Sequence, residues 1–132
     1  MDSLLFVNGT LMRGLKLHKN LDGATFIEAT VTAPVYRLYT IGDVHPGMFE
    51  VASGGVSIEG ELYRLPDEVW QRVEAGEPPG LYRGPVKLID GRVVPGILFQ
   101  RGLAEGGGHR DISDYGSWRR YMAARDDGDA HA

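Results

Sequence analysis

The sequence predicts a small α+β domain in which about six short strands form a twisted sheet beside one principal helix. Three observations support this fold class. The chain has 132 residues, of which 42% are apolar and 24% charged, which is the balance of an ordinary folded domain. Its 19 glycines are dispersed between short apolar runs, a pattern typical of short strands joined by tight turns. A clear helical pattern occurs in a single segment.

Short apolar or alternating runs predict the strands. Alternation of apolar and polar residues is the pattern of a half-buried strand, and glycine or proline marks the end of most runs. Asp90 and Gly91 predict a two-residue hairpin turn, because glycine accepts a positive φ. The predicted strands are residues 4–7, 25–32, 35–39, 56–63, 86–89 and 93–99.

The principal helix is predicted over residues 66–74. Pro66 and the acidic residues Asp67 and Glu68 suit its first turn, and apolar side chains follow at helical spacing. Shorter helices are predicted over residues 11–21 and 117–124. Residues 125–132 are polar, and we expect them to form a disordered tail. This leaves a single domain over residues 1–124.

Composition and charge disfavour several classes of protein. The chain has no Cys, and therefore no disulfide, thiolate metal site or thiol nucleophile. Its formal net charge of −4 is unfavourable for binding nucleic acid. Its apolar runs are far shorter than the ~20 residues that span a bilayer, and its four His lack the paired spacing of a zinc site. We expect a cytoplasmic protein that binds neither nucleic acid nor membrane.

The first candidate site is the turn formed by Asn8, Gly9, Thr10 and Leu11, which follows the first predicted strand. Glycine lets the backbone approach a ligand closely, and the amide groups of such a turn can bind an anion. The alternative is a plain turn in which Thr10 caps a following helix. The spacing of these residues does not match a dinucleotide-binding or Walker loop.

The second candidate site is Glu77, which follows the principal helix and precedes Pro78 and Pro79. A negative charge is unfavourable at the C-terminal end of a helix. Glu77 is therefore either exposed to solvent, or held in a partly desolvated pocket where its pKa rises toward that of a general base. The spacing alone leaves both alternatives open.

Two further residues are weaker candidates. His45 is followed by Pro and Gly, which fix the local turn, although a single His on a loop is a weak indication of a site. Trp118 is either a core residue or part of a pocket wall.

Several motifs resemble those of γ-glutamylcyclotransferase-like (AIG2-like) proteins. Residues 5–11, Leu-Phe-Val-Asn-Gly-Thr-Leu, resemble the first strand and the YGTL or YGSN loop of that family, with Asn8 where Tyr is usual. Residues 58–63, Ile-Glu-Gly-Glu-Leu-Tyr, resemble its V-x-G-E-L-Y strand, and residues 73–77 followed by Tyr82 resemble the segment with its catalytic glutamate.

This resemblance implies that the sheet closes into a small mixed β-barrel with flanking helices. It implies an enzyme that acts on a small molecule, a γ-glutamyl amide or amine, and converts it to 5-oxoproline with Glu77 as general acid and base and without a metal or other cofactor. Substrate contacts are then expected from Asn8, Gly9, Thr10, Leu11 and Tyr82.

Other motifs resemble, more narrowly, the C-terminal domain of allophanate hydrolases, which shares this fold. They lie at residues 8–14, 36–39, 45–48 and 111–121. The alternative function that this implies is chemistry on a carbamate-like intermediate, in a pocket formed by Tyr36, His45 and a segment that ends at Trp118. That domain usually has an apolar residue where Glu77 stands here, so the acid favours cyclotransferase-type chemistry.

The allophanate hydrolase domain normally follows an amidase domain, and this chain has none. A homodimer or a separate partner amidase is therefore an expected assembly. A third alternative is a binding or oligomerisation module without catalysis, which predicts an exposed apolar face and no enclosed polar pocket.

Overall fold

A computed structural model describes residues 2–131, with side chains up to Arg125. The strands in this range are β1 (Ser3–Val7), β2 (Thr25–Val31), β3 (Tyr36–Ile41), β4 (His45–Glu50), β5 (Glu59–Leu65), β6 (Leu81–Lys87), β7 (Val93–Phe99) and β8 (Arg110–Asp111). The helices are α1 (Asp67–Ala75), α2 (Arg101–Gly106) and α3 (Trp118–His131), with 3₁₀ turns at His18–Leu21 and Ser113–Tyr115.

The larger sheet has five strands in the order β2-β5-β1-β7-β6. Its central strand β1 is antiparallel to β5, where Val7 lies opposite Glu61, and parallel to β7. The apolar run of β1 is explained by this position, because a central strand that is covered on both faces buries every side chain. Leu5 and Phe6 are fully buried.

The smaller sheet has the order β4-β3-β8, and β4 packs against β7 of the larger sheet. Gly47 permits this approach, since a Cβ at that position would lie 2.8 Å from Cγ of Phe99. The mixed α+β class predicted from the sequence is confirmed.

The predicted closed barrel is wrong. In the described part of the chain the strands form two sheets, and the edge strands β2 and β6 meet at one end, through a bridge between Thr32 and Leu88. Pro34 follows this bridge and has no amide N–H to extend the ladder, and the chain then continues into β3 of the second sheet. Closure along the full length of the edge strands does not occur.

The strand prediction missed β4 and all but the last two residues of β6. β4 includes Pro46 and β6 includes Pro85, and both are edge strands, where proline costs no ladder hydrogen bond. The principal helix is found as α1, one residue later than predicted. The predicted helix over 11–21 is wrong, because this segment consists of successive turns that end in the 3₁₀ turn.

The last helix extends beyond residue 124, where we expected it to end, and its bounds are Trp118–His131. The predicted disordered tail over 125–132 falls mostly on residues whose side chains are not described, and Ala132 lies outside the described residues. That part of the domain prediction stays a prediction.

The main core is formed by the larger sheet together with α1 and the start of α3. Val69 and Val73 of α1 are buried in it, as are Tyr36 of β3 and Trp118 of α3. Each fully buried side chain of this size stabilises the fold by roughly 1.5–3 kcal/mol relative to exposure. This packing brings the end of β1 and the end of α1 to the same cavity.

Candidate active site

A cavity lies between the turn after β1, the end of α1 and the start of β4. Its polar lining consists of Asn8, Gly9, Thr10, Asn20, His45 and Glu77, with apolar walls that include Leu11, Val73 and Ile97. The cavity volume is about 30 Å³, far below the ~300–1,000 Å³ of sites for drug-sized ligands. A small polar ligand suits this cavity.

The end of α1 fixes Glu77 at the cavity wall. The helix ends at Gly76, whose N–H donates to the carbonyls of Arg72 and Val73, and the N–H of Glu77 donates to the Glu74 carbonyl at 3.3 Å. Two prolines follow and restrict φ of the next two residues. Gly76 also permits close packing, since a Cβ there would lie 3.1 Å from Nδ2 of Asn20. The carboxyl group is therefore held by a rigid segment of backbone.

The Glu77 carboxyl group is half-buried and poorly compensated. Its Oε1 atom is buried and has no hydrogen-bond partner among the described residues. Burial raises the pKa of Glu77 from 4.5 to about 7, because desolvation disfavours the charged form. A buried polar atom without a partner requires an explanation, and a raised pKa inside a cavity is a typical property of a catalytic acid or base. The solvent-exposed alternative for Glu77 does not hold.

The turn after β1 presents unpaired donors. Three of its carbonyl groups are used: Gly9 accepts from the Met12 N–H at 3.0 Å, Thr10 from the Leu17 N–H at 2.8 Å, and the Leu11 carbonyl oxygen is 2.9 Å from Nδ1 of His18. The N–H groups of Gly9, Thr10 and Leu11 have no acceptor within residues 2–131. Successive unpaired amides of this kind form an anion-binding concavity. No helix follows Thr10, so the helix-cap alternative is wrong.

The start of β4 forms the third wall. His45 is buried, and its Nδ1 atom lies 3.0 Å from the Pro46 carbonyl. Since a carbonyl can only accept, Nδ1 carries the hydrogen and Nε2 keeps its lone pair in the neutral ring. Nδ2 of Asn8 lies 3.4 Å from Sδ of Met48, and a Cβ on Gly9 would lie 2.6 Å from Cγ of Pro46. Close packing on β4 thus fixes the turn.

The structure brings together six of the nine residues that the sequence identified as candidates. They are Asn8, Gly9, Thr10, Leu11, His45 and Glu77.

The other three candidates do not line the cavity. The Tyr36 side chain is fully buried in the core, where its hydroxyl accepts from the Lys87 N–H at 2.9 Å. Trp118 is also buried in the core. Tyr82 lies on the edge strand β6 and is 46% exposed. Core aromatic residues and pocket aromatic residues have the same sequence pattern, so the sequence did not separate Tyr36 and Trp118 from cavity residues, and Tyr82 was predicted from the resemblance alone. The cavity gives no support to a substrate-binding role for these three residues.

The pocket expected from Tyr36, His45 and the segment before Trp118 does not form. Asp111 instead accepts hydrogen bonds from Arg37 of β3 at 2.8 Å and from the Ser113 hydroxyl at 2.6 Å. These contacts join β8 to β3 and to the 3₁₀ turn that follows β8, which is a structural role. Sequence reasoning missed Asn20 at the cavity, and no motif marks it.

The sequence of the whole domain matches one family. The family described as the allophanate hydrolase C-terminal domain matches residues 3–123. The chain belongs to this family. It is 32% identical over 125 residues to urea amidolyase of Saccharomyces cerevisiae, in an alignment that covers 89% of this chain and 7% of the relative. The chain therefore spans a small fraction of that protein.

Two solved structures support this assignment. A uropathogenic E. coli-specific protein is 42% identical with a TM-score of 0.88, over 93% of this chain and 97% of the other. The Kluyveromyces lactis allophanate hydrolase is 29% identical with a TM-score of 0.86, over 94% of this chain and 21% of the hydrolase. Similar structures thus occur both as a chain of about this size and as a part of a larger protein.

More distant structures establish the wider fold class. A mouse AIG2-like protein is 21% identical with a TM-score of 0.59, over 75% of this chain and 76% of the other. A γ-glutamyl cyclotransferase is 14% identical with a TM-score of 0.53, over 76% of this chain and 68% of the other. These likenesses confirm the predicted γ-glutamylcyclotransferase-like fold for this member of the allophanate hydrolase C-terminal family, and they concern the fold alone.

A membrane-crossing helix is not found in the part of the chain that the structure describes, where each helix is too short or too polar. The cytoplasmic location of this family member stays a prediction.

Proposed function

We propose that the domain is an enzyme of the γ-glutamylcyclotransferase type, in which Glu77 is the general acid and base that forms 5-oxoproline. The observation that supports this proposal is the shared cavity. It contains a carboxyl group whose pKa is about 7 and, on another wall, the three unpaired amides of Gly9, Thr10 and Leu11. A proton carrier and an anion-binding group are the two parts that the reaction requires.

Glu77 would transfer protons at both nitrogen atoms of the reaction. Its carboxylate removes a proton from the α-ammonium group of a γ-glutamyl amide, and the freed amine attacks the γ-carbonyl carbon to form the ring C–N bond. Glu77 then returns this proton to the leaving nitrogen as the original amide bond breaks. The second ammonium proton leaves the ring nitrogen for solvent or the released amine. General acid–base catalysis of this kind contributes ~10²–10⁴-fold, and ring closure benefits from being intramolecular.

The amides of Gly9, Thr10 and Leu11 would bind the negative oxygen that develops on the γ-carbonyl, or the substrate carboxylate. Loss of one such preorganised donor typically costs ~2.7–4 kcal/mol in the transition state. On the other walls, the Glu77 carboxylate and Nε2 of His45 can accept hydrogen bonds from substrate N–H groups. The substrate class is therefore a small molecule that has both a carboxylate or carbonyl oxygen and N–H donors.

The second candidate is chemistry on a carbamate-like intermediate. Two observations favour it: the family to which the chain belongs, and the small volume of the cavity, about 30 Å³, which is closer to the size of such an intermediate than to that of a γ-glutamyl amide. In this case the same amides would bind the carbamate oxygens. A separate partner amidase, or a second copy of the chain, is a proposal that rests on the larger size of the yeast relatives.

The test is incubation of the purified protein with a panel of γ-glutamyl peptides and amines, with 5-oxoproline measured by mass spectrometry. Glu77→Gln is expected to lower kcat/KM by ~10²–10⁴-fold, while Glu74→Gln, three residues earlier on the exposed side of α1, is the matched control and keeps full activity. A parallel arm measures carbon dioxide and ammonia released from small carbamates. Product in this arm alone would replace the first proposal by the second, in which Glu77 is dispensable. Equal formation of 5-oxoproline by Glu77→Gln and the wild type would contradict the first proposal.

A further inference from the structure

A second buried carboxylate contacts the far end of the turn that lines the cavity. Glu61 of β5 is 4% exposed. Its Oε1 atom accepts hydrogen bonds from the Arg13 backbone N–H and from the Tyr63 hydroxyl, both at 2.9 Å. Its Oε2 atom accepts from Nε of Arg13 at 3.1 Å, and Nη2 of Arg119 lies 3.6 Å from it. None of the proton transfers proposed above uses this residue.

These contacts make Glu61 an ionised group in spite of its burial. Desolvation acts to raise the pKa of Glu61, but the hydrogen bonds from the Arg13 backbone, Tyr63 and the Arg13 guanidinium outweigh it and hold the pKa below its ordinary value. A buried carboxylate costs several kcal/mol unless such partners compensate. Replacing a whole buried ion pair with apolar residues of similar size is often neutral for stability, whereas removing one partner alone is destabilising, so the presence of this pair calls for a more specific explanation.

The explanation lies in the position of Glu61 relative to the turn. Its backbone lies opposite Val7, the residue after which the turn begins. Its side chain binds Arg13, near the end of the turn, and the Arg13 carbonyl is held by Nη2 of Arg119 at 3.0 Å. Glu61, on β5 of the larger sheet, therefore holds both the beginning and the end of the segment that contains Gly9, Thr10 and Leu11.

The consequence concerns the unpaired amides. The N–H groups of these three residues make no hydrogen bond within the described part of the protein that would fix the turn, so the turn is free to change conformation unless other contacts hold it. Contacts outside the cavity must prevent that change. The Arg13 contacts hold the turn from outside the cavity. The guanidinium of Arg13 is itself fixed by its position 4.0 Å above the Phe26 ring.

We propose that Glu61 is a positioning residue, which holds the turn after β1 in the conformation that leaves the Gly9, Thr10 and Leu11 amides free to bind substrate. Its effect on activity rests on the proposed function of the cavity, whereas its effect on the turn does not. Glu61 does not touch the substrate and acts through Arg13.

The test compares Glu61→Gln with Glu59→Gln. Glu59 is on the same strand and pairs with Arg120 near the surface, at 2.6 Å, so it is a matched control. In Glu61→Gln the amide group presents an N–H donor to Nε of Arg13, and the ion pair is lost. We expect the ¹H–¹⁵N resonances of Gly9, Thr10 and Leu11 to shift in Glu61→Gln and to stay unchanged in Glu59→Gln.

A kinetic measurement separates positioning from general damage. Glu61→Gln is expected to lower kcat/KM by about tenfold or more, while the pH dependence keeps the step near pH 7 that belongs to Glu77. Resonances of Gly9, Thr10 and Leu11 that do not move in a folded Glu61→Gln would overturn the proposal, as would an equal response in Glu59→Gln.

If Glu61→Gln does not fold, Tyr63→Phe decides instead. It removes one donor to the carboxylate and leaves the Arg13 contacts. The expected result is a smaller shift of the same three resonances, and no shift would overturn the proposal. The resonance measurements need no turnover, so a protein that forms no 5-oxoproline would refute the proposed function and leave the role of Glu61 to be decided separately.

Discussion

Glu61 is a buried carboxyl group that contacts the segment after β1, and Glu77 is a half-buried carboxyl group in the cavity that this segment lines. Their surroundings are opposite. Glu61 accepts three hydrogen bonds and lies 3.6 Å from the Arg119 guanidinium. Its partners hold the pKa of Glu61 below the ordinary value. Glu77 has a buried oxygen without a partner, and its pKa is raised to about 7. Burial acts in the same direction at both sites, so the difference comes from the partners. A carboxylate with partners fixes structure, whereas one without them is available for proton transfer.

The largest expected difference is in the pH dependence of stability. The folded-state pKa of Glu77 is raised, so folding with an ionised Glu77 is penalised, and this penalty grows as pH rises from about 4.5 to about 7. Glu77→Gln removes the penalty and is expected to stabilise the protein by up to about 3 kcal/mol at pH 8, and by nothing near pH 4. Urea unfolding at the two pH values measures this.

Glu61 gives the opposite sign in the same experiment. Its folded-state pKa is lowered, so it contributes stability above its unfolded pKa, and this contribution is lost as pH falls through the folded value. Glu61→Gln is therefore expected to destabilise the protein at pH 8, where Glu77→Gln stabilises it. Changes of the same sign in the two variants at pH 8 would contradict the comparison.

A smaller effect is expected for the turn that joins the two sites. A Cβ on Gly9 would lie 2.6 Å from the Pro46 ring, so Gly9→Ala is expected to displace the turn and to cost about 1–3 kcal/mol. The control is Gly102→Ala in α2, where nothing lies within 4 Å and φ is not positive; it is expected to stabilise by up to ~1 kcal/mol. Thermal unfolding of both variants compares them, and a Gly9→Ala protein as stable as the wild type would show that the turn is loosely packed.

The sequence could predict the features that depend on local pattern. The strong helix α1, the strand that ends at Val7, and the candidates Asn8 and Glu77 all follow from short motifs, because caps, alternation and glycine turns are local properties.

Features that depend on distant contacts could not be predicted. The role of Glu61 depends on Arg13, which is 48 residues away in the sequence. The burial of Tyr36 and Trp118 in the core, and not in the cavity, depends on how β3 and α3 pack. Closure of the sheet was inferred from a resemblance, and the bridge at Thr32 shows that it occurs at one end of the edge strands.

The most direct test of the central claim is titration of the Glu77 carboxyl group by ¹³C NMR in the folded protein, with Glu77→Gln to assign its resonance. A midpoint near pH 7 is expected, well above the ordinary Glu value of 4.5. A midpoint near 4.5 would show that Glu77 is solvated and compensated in solution, and would contradict its role as the general acid and base of the cavity.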